Sequence, residues 1–158
     1  MGARSRAQLV DAMTRRNVPD DVATAVLDRF EELRLVDDEE FARQWVSTRH
    51  AGRGLARRAL AYELHQRGVD DEVVRGAVEA VDHDSELAAA RALVRRRLPA
   101  TRTDDPARRT RRLAGMLARK GYGAGVAMRA IREETAAADG EWDEDDDVRG
   151  PGPSDGDR

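Results

Sequence analysis

Apolar residues recur along most of the chain at intervals of three and four positions, the spacing that gathers side chains on one face of an α-helix. The second predicted helix has such an apolar face, formed by Val22, Val26, Phe30 and Leu33. No run of β-branched residues alternates with polar ones, as a half-buried strand would require. The pattern therefore predicts an all-α protein with about eight helices. They are expected over residues 6–16, 20–34, 38–50, 55–67, 70–81, 84–98, 106–121 and 124–136.

The third predicted helix has the best-marked start in the chain. Asp37 stands at its N-cap and Glu40 follows three residues later, as a capping box requires. Val36 and Phe41 occupy the two positions of a hydrophobic staple. These signals place the start of a new helical unit at residue 37.

The chain also repeats itself. Residues 9–27, 60–78 and 113–131 align without gaps, at offsets of 51 and 53 residues. The coincident positions are Leu9, Leu60 and Leu113; Met13, Leu64 and Leu117; Asn17, Gly68 and Gly121; Val18, Val69 and Tyr122; Val22, Val73 and Val126; and Leu27, Val78 and Ile131. The third set contains only Asn and Gly, which tolerate the left-handed conformation at a helix C-terminus. Each repeat is thus a helix, a tight turn and a second helix.

A further helix precedes this pair in the second and third repeats, so the complete unit is a three-helix module. Modules that cover each other's apolar faces predict an elongated array of tandem repeats. We expect a partial first repeat over residues 1–36, lacking its first helix, and complete repeats over 37–83 and 84–138. The acidic segment 139–158, rich in Gly and Pro, is expected to be a disordered tail. Chance similarity among Ala- and Arg-rich helices is the alternative, and three matched turns argue against it.

Composition excludes several classes of protein. The chain has no cysteine, which rules out disulfides and thiolate metal sites. No stretch approaches the roughly 18 consecutive apolar residues of a membrane span. Charged residues interrupt the first sixteen positions, so no signal peptide is predicted and the expected location is the cytoplasm.

Charge is strongly segregated, although the whole chain carries a net charge of only -3. Residues 139–158 hold nine acidic and two basic residues, a net charge of -7. Residues 91–132 hold thirteen basic and two acidic residues, a net charge of +11. This distribution predicts a basic surface that faces a polyanion and an acidic tail that shields it.

The basic residues are the candidate binding residues. In the seventh predicted helix Arg108, Arg111 and Arg112 share one face, because they are spaced by three and four residues. The candidate residues for binding a partner or DNA are Arg53, Arg57, Arg58, Arg95, Arg96, Arg108, Arg111, Arg112, Arg119 and Lys120. If these faces align across modules, they form a basic stripe suited to phosphates or to an acidic protein surface. The alternative is a solvated face in an arginine-rich protein.

No residue pattern predicts catalysis, a cofactor or a metal site. His50, His65 and His83 lie on separate helices without metal-ligand spacing. The acidic run from Asp37 to Glu40 points in different directions on a helix, so capping explains it better than acid–base chemistry. The glycines of residues 121–125 resemble a phosphate loop, but no strand precedes them and no Lys-Ser or Lys-Thr follows. A non-enzymatic protein without a cofactor is expected.

Four short motifs, in order, resemble the RecX family. Arg4–Leu9 (RSRAQL) resembles its opening "RS..EL", and Leu35–Ala42 (LVDDEEFA) its signature "gylDD..FA". Leu64–Val69 (LHQRGV) resembles "eL..kGi", and Leu117–Tyr122 (LARKGY) resembles "L..rGf". Each motif is weak alone, but their order and spacing over residues 4–134 are fairly specific.

The resemblance implies a fold of tandem three-helix repeats and a regulatory function. Members of the family bind along the groove of the RecA–DNA filament and typically inhibit its ATPase, strand-exchange and coprotease activities. On this basis the expected partner is a RecA recombinase filament, and single- or double-stranded DNA is expected to bind weakly to the protein alone. No membrane partner is expected, and the protein is expected to be a monomer.

Two other functions remain open from the sequence. The basic segment 91–132 also fits a nucleic-acid-binding helical protein without a specific recombinase partner. A helical adaptor with an unrelated partner is the third possibility.

Overall fold

A computed structural model describes residues 3–146 of the protein, with the side chains of residues 3–140. These residues form eight α-helices and one short 3-10 helix, and they contain no strand. The helices are α1 (Arg6–Thr14), α2 (Asp20–Glu32), α3 (Asp38–Arg53), α4 (Arg57–His65), α5 (Asp71–Val78), α6 (His83–Arg97), α7 (Pro106–Arg119) and α8 (Ala124–Asp146), with the 3-10 helix at Leu98–Thr101 between α6 and α7. Within the described residues no helix is both long and apolar enough to cross a membrane. The predicted all-α class is confirmed.

Two helices run further than the sequence pattern predicts. Helix α3 continues through Gly52 and ends only at Gly54, which adopts the left-handed conformation with φ of 62°. Helix α8 continues to Asp146, so the prediction that disorder begins at residue 139 is wrong for residues 139–146. Gly140 does not stop the helix, because an isolated glycine lowers helix stability by only about 1 kcal/mol and no proline occurs between Pro106 and Pro151. Residues 147–158 of the predicted tail lie outside the described residues.

Side-chain oxygens cap most of the helices at their N-termini. Ser5 forms a complete capping box with Gln8 at the start of α1. Asp37 accepts a hydrogen bond from the Glu40 backbone N–H, but the Glu40 carboxylate binds Arg43 and Gln44 instead of completing the predicted box. Asp70, Asp82 and Asp105 cap α5, α6 and α7. The sixth helix therefore begins one residue before the predicted start at residue 84.

Helices α3–α5 and α6–α8 each enclose a hydrophobic core of their own, and we refer to them as the second and third modules. The second core is built on Phe41, Val46, Leu60 and Leu64. The third core consists of Ala56, Leu87, Ala90, Leu93, Val94, Leu98, Leu113, Leu117, Tyr122, Ala127, Ala130 and Ile131. Its member Ala56 precedes α4 of the second module, so the two modules share a contact at that residue.

Helices α1 and α2 form the first module, which differs from the others on one face. Residues 30, 81 and 134 occupy the same position in the repeat, yet Phe30 is 39% exposed while Val81 is 4% and Glu134 is 3% exposed. In the second and third modules α3 packs on α5 and α6 packs on α8, and no described helix takes that place on α2. Val22, Phe30 and Leu33 of the predicted apolar face are exposed and Val26 is half-buried, while the helix buries Ala23 and Leu27 on the adjacent face.

The modules are connected by two joints of the same design. At the first joint, between the first and second modules, the Ser5 hydroxyl donates to the Arg67 carbonyl oxygen at 2.5 Å and the Arg6 N–H donates to Asp38 at 2.8 Å. At the second joint, between the second and third modules, the Ala56 N–H donates to the Lys120 carbonyl oxygen at 2.9 Å. The Arg57 N–H there donates to Glu86 at 3.0 Å.

The donors and the carbonyl acceptors of these contacts occupy equivalent repeat positions, whereas the carboxylates of Asp38 and Glu86 do not. Ser5 and Ala56 are each the N-cap of their helix, and the carbonyls of Arg67 and Lys120 each precede a left-handed glycine. Those glycines, Gly68 and Gly121, have φ of 71° and 91° and lie against an alanine of the preceding module. An alanine N-cap cannot bind the free N–H groups of its own helix, so Glu86 of the third module provides that acceptor for α4.

Candidate nucleic-acid interface

A basic cleft lies between α6 and α7, and we call it the α6–α7 cleft. Its volume is about 380 Å³, and it is lined by Arg97, Arg111, Arg112, Gly115, Met116 and Arg119. The 3-10 helix between α6 and α7 anchors the connection between the two helices, because Leu98 and Thr101 are buried and the Thr101 hydroxyl donates to the Leu98 carbonyl oxygen at 2.8 Å. Arginines from the end of α6 and from the length of α7 are thereby brought to one surface.

Three arginines of the α6–α7 cleft are available to bind an anion. Arg97, Arg111 and Arg119 are exposed and make no ion pair within the part of the chain that the structure describes. Gly115 lies beside one of them, because a Cβ atom at this position would be in ordinary van der Waals contact, at 3.5 Å, with the Arg119 guanidinium. Unpaired guanidinium groups lining a concave surface can donate hydrogen bonds to phosphate or carboxylate oxygens.

The predicted trio of Arg108, Arg111 and Arg112 does not act as one group. The carboxylate of Asp104, before the start of α7, pairs with both Arg108 and Arg112. Arg111 makes no such pair and faces the α6–α7 cleft. The sequence spacing correctly places the three on α7, but it does not reveal that one carboxylate neutralises part of their charge.

The arginines of α6 point to two different surfaces. Arg91 and Arg95 donate hydrogen bonds to the buried Glu134 of α8, at 2.7 and 2.9 Å, whereas Arg97 lines the α6–α7 cleft. Arg96 is exposed and makes no ion pair within residues 3–140. The candidate residue Arg95 therefore has a structural role in joining α6 to α8.

The Glu134 carboxylate is held in its charged form by these arginines. Burial raises its pKa, but the hydrogen bonds from Arg95 and Arg91 outweigh that effect, and the pKa of Glu134 lies below its ordinary value. The same hydrogen bond raises the pKa of Arg91. This buried acid explains why the basic residues of α6 do not form one continuous stripe.

The remaining candidate residues meet at the second joint. Lys120 donates through Nζ to the Arg53 carbonyl oxygen at 2.7 Å, so the two residues are adjacent although 67 positions separate them. Arg57 lies 3.7 Å from Glu86, which offsets its charge, and Arg58 is exposed without an ion pair in the described region. Arg119 precedes Lys120 and links this group to the α6–α7 cleft. The structure thus brings together Arg53 and Lys120 from two modules, with Arg119 next to Lys120 along the chain.

Arg97 belongs to the cleft but not to the predicted set of binding residues. It is one of the basic residues at the end of α6, and the sequence offers no sign that it points to α7 while Arg95 points to α8. Among the side chains of residues 3–140, no three His, Asp or Glu residues are grouped to hold a metal ion. The unpaired guanidinium groups that line the α6–α7 cleft favour binding of anions.

Comparison with known proteins identifies the family. The profile "RecX, second three-helix domain" matches residues 37–78, and "RecX, third three-helix domain" matches residues 84–131. The regulatory protein RecX of Thermobifida fusca is 61% identical over 134 residues, which cover 85% of this chain and 72% of that protein. The chain belongs to the RecX family. The regulatory protein RecX of Streptomyces lividans is 52% identical over 130 residues, or 82% of this chain and 69% of the relative.

Solved RecX structures share the fold. The crystal structure of RecX from Lactobacillus salivarius matches with a TM-score of 0.80 at 16% identity, over 85% of this chain and 88% of that chain. A second crystal structure of regulatory protein RecX matches with a TM-score of 0.76 at 19% identity, over 84% of this chain and 65% of that one. The predicted tandem three-helix fold is confirmed, and the resemblance seen in the motifs is confirmed as family membership.

Proposed function

We propose that this RecX protein binds a RecA–DNA filament and lowers the activity of the recombinase in DNA repair and recombination. Membership of a family of regulatory proteins supports a binding function rather than an enzymatic one. The observation that carries the proposal is the α6–α7 cleft, where Arg97, Arg111 and Arg119 face solvent without a carboxylate partner among the described residues. Filament-bound DNA and acidic protein surfaces both offer the anions that these arginines require.

The proposed mechanism is a shift between states of the filament. Modules in tandem can contact more than one subunit of a helical filament, and the second joint holds the basic residues of α3 and α7 together. A protein that binds one arrangement of the filament more tightly than another shifts the population toward it. Preference for an inactive or disassembling arrangement would lower ATP hydrolysis without any catalytic group in the inhibitor.

The test is recombinase ATPase activity at a fixed concentration of single-stranded DNA. We expect the wild-type protein to inhibit, and the triple variant Arg97→Ala/Arg111→Ala/Arg119→Ala to need at least tenfold more protein, since each lost charge-assisted contact costs roughly 1.5 kcal/mol or more. The matched control is Arg16→Ala/Arg75→Ala/Arg132→Ala, which removes three exposed arginines outside the cleft. Equal inhibition by the two triple variants would show that the cleft has no specific role.

A second candidate function is binding of nucleic acid without a recombinase partner, which the net charge of +11 over residues 91–132 favours. Free DNA added in excess to the same assay distinguishes the two. Simple competition for DNA predicts that inhibition disappears when DNA is in excess. Docking on the filament predicts that inhibition persists at a fixed ratio of inhibitor to recombinase. Sedimentation of the free protein tests the expectation that it is a monomer.

A further inference from the structure

A second basic surface lies far along the chain from the α6–α7 cleft, where the first module meets the second. Two cavities of about 530 and 500 Å³ share Ala3, Phe41 and Trp45 as lining residues. They are therefore two halves of one groove, with Trp45 between them, and we call it the Trp45 groove. None of its charged residues except Arg53 belongs to the predicted binding set.

Trp45 holds two arginines in place in this groove. The Arg67 and Arg49 guanidinium carbons lie 3.7 and 4.2 Å from the centre of the Trp45 ring system, within range of a cation–π interaction. The indole N–H donates to Glu63 at 2.8 Å, and the indole stacks on Phe41 with 5.8 Å between ring centres. Both guanidinium groups are thus oriented before any ligand arrives, which reduces the entropy lost on binding.

The lining of the groove is positively charged, although Glu63 lies 4.0 Å from Arg49 and offsets part of its charge. Its lining includes Arg4, Arg15, Arg49, Arg53 and Arg67, and Asp11 is the only acidic residue that lines either half. Arg4 and Arg15 are exposed and make no ion pair within residues 3–140. Positive charge on both sides of Trp45 matches a ligand that carries negative charge at regular intervals.

The floor of the groove is mostly apolar and open on the side of Gly52. The half-buried Trp45 and the buried Phe41 line it there, and a Cβ atom built on Gly52 would meet nothing within 4 Å. A glycine inside a helix lowers stability by about 1 kcal/mol relative to alanine. Gly52 leaves the backbone of α3 accessible to a flat group. Nucleic-acid bases stack on aromatic rings and on arginine planes of this kind.

We propose that the Trp45 groove binds single-stranded nucleic acid, with phosphates on its arginines and a base against its apolar floor. A duplex keeps its bases stacked in its interior, so it cannot bring one to the floor of the groove. This inference deepens the proposed function by adding a contact to the DNA strand in the filament. Its test uses no recombinase, so that failure of one proposal is distinct from failure of the other.

The experiment uses Trp45 as its own reporter. The chain has two tryptophans, so the full chain with Trp142→Phe leaves Trp45 as the only one. We expect an oligothymidylate of about 16 nucleotides to quench Trp45 fluorescence at low salt, and a duplex of equal length to bind much more weakly. In the same background, Arg4→Ala/Arg15→Ala should weaken binding roughly tenfold or more and make the slope of log affinity against log salt less negative by about 1.4.

The matched control is Arg16→Ala/Arg75→Ala, which removes the same charge from exposed positions outside the groove. It should retain wild-type affinity. Equal loss in the two double variants would mean that only net charge matters and would overturn the proposal. So would equal binding of the duplex, or quenching by polyglutamate at the same concentration as by the oligonucleotide, because an acidic peptide lacks bases. Circular dichroism of each variant checks that the helices are intact.

Discussion

The two joints perform the same task with different chemistry. In both, the carbonyl that precedes a left-handed glycine accepts a hydrogen bond from the N-cap residue of a helix in the preceding module. The donor is the Ser5 side chain at the first joint and the Ala56 backbone at the second. The acceptor is fixed by the shape of the turn, whereas any donor at the right place can serve.

The second joint also makes a side-chain hydrogen bond that the first joint lacks. The Tyr122 hydroxyl donates to the Gly54 carbonyl oxygen at 2.8 Å, an interaction that Val69, its equivalent at the first joint, cannot make. A Cβ atom on Gly121 would lie 2.6 Å from the Ala59 backbone nitrogen, whereas at Gly68 the close atom, at 2.4 Å, is the Ala7 side-chain Cβ. Side-chain contacts can be relieved by substitution, but backbone contacts cannot. Because the first joint has no equivalent of the Tyr122 hydrogen bond, the first module should separate from the others more easily.

The largest expected effects on stability come from substituting the left-handed glycines of the two joints, Gly68 and Gly121. Gly121→Ala should destabilise the protein by about 4 kcal/mol, from left-handed strain and a clash with backbone. Gly68→Ala should cost about 3 kcal/mol, and adding Ala7→Gly should recover about 1.5 kcal/mol of the combined loss by removing the atom it meets. Ala59→Gly should leave Gly121→Ala destabilised by about 3 kcal/mol or more, because the amide nitrogen remains. Urea unfolding measures all four variants, and equal rescue at both joints would contradict the comparison.

Ser5→Ala tests the donor of the first joint. The buried hydroxyl caps α1 and bonds to Arg67, so its loss should cost about 2 kcal/mol. Tyr122→Phe, which removes one hydrogen bond from the second joint, should cost about 1 kcal/mol. Hydrogen exchange of α1 amides should increase in Ser5→Ala and not in Tyr122→Phe. Loss of protection over the whole chain in both variants would mean that the modules unfold as one unit.

Glu134→Gln tests an interaction inside the third module that involves neither joint. The pKa of Glu134 lies below its ordinary value, so its ionised form stabilises the fold above that value, and this contribution disappears as pH falls through the lowered pKa. We expect the variant to be less stable than wild type by about 2 kcal/mol at neutral pH. The difference in stability between the variant and wild type should shrink as pH falls below 4.5, the ordinary pKa of a glutamate carboxyl. A difference that is constant with pH, in urea unfolding at several pH values, would rule out the ion pairs as its cause.

The smallest effect is expected on the exposed face of the first module. Phe30→Ala should change stability by less than about 1 kcal/mol, because the ring already contacts water. Val81→Ala, at the equivalent buried position of the second module, should cost about 2 kcal/mol. Thermal unfolding compares the two. Equal losses would mean that Phe30 is covered in solution, for example by a second copy of the chain.

Much of this architecture follows from local patterns. Asn17, Gly68 and Gly121 all have positive φ, as predicted from their alignment in the repeat. Helix ends are harder to predict from the sequence, because Gly52 and Gly140 lie inside helices, whereas Gly54 takes the left-handed conformation and ends one. A glycine permits a helix to end, but contacts from elsewhere decide whether it does.

The candidate site could be predicted only in outline. The basic seventh helix predicts Arg111, Arg119 and Lys120 as binding residues; Arg111 and Arg119 are exposed and Lys120 is half-buried. Arg95 belongs to the same basic segment, residues 91–132. It nevertheless forms an ion pair with Glu134, which lies 39 positions away along the chain. Trp45 lies in α3 and Arg67 in the turn after α4, and no spacing along the chain indicates their contact.

The amino-acid sequence by itself determined the helices, the repeat and the family, because a helix sorts its own side chains by spacing and a repeated turn needs the same backbone freedom each time. Only the tertiary structure decided which arginines remain available. Asp104 pairs with Arg108 and Arg112, Glu134 pairs with Arg91 and Arg95, and three arginines of the α6–α7 cleft keep no such partner among the described residues. The physical reason is that an ion pair depends on distance in space. The carboxylates of Glu86 and Glu134 come within range of their arginines only after helices distant in the sequence have packed together.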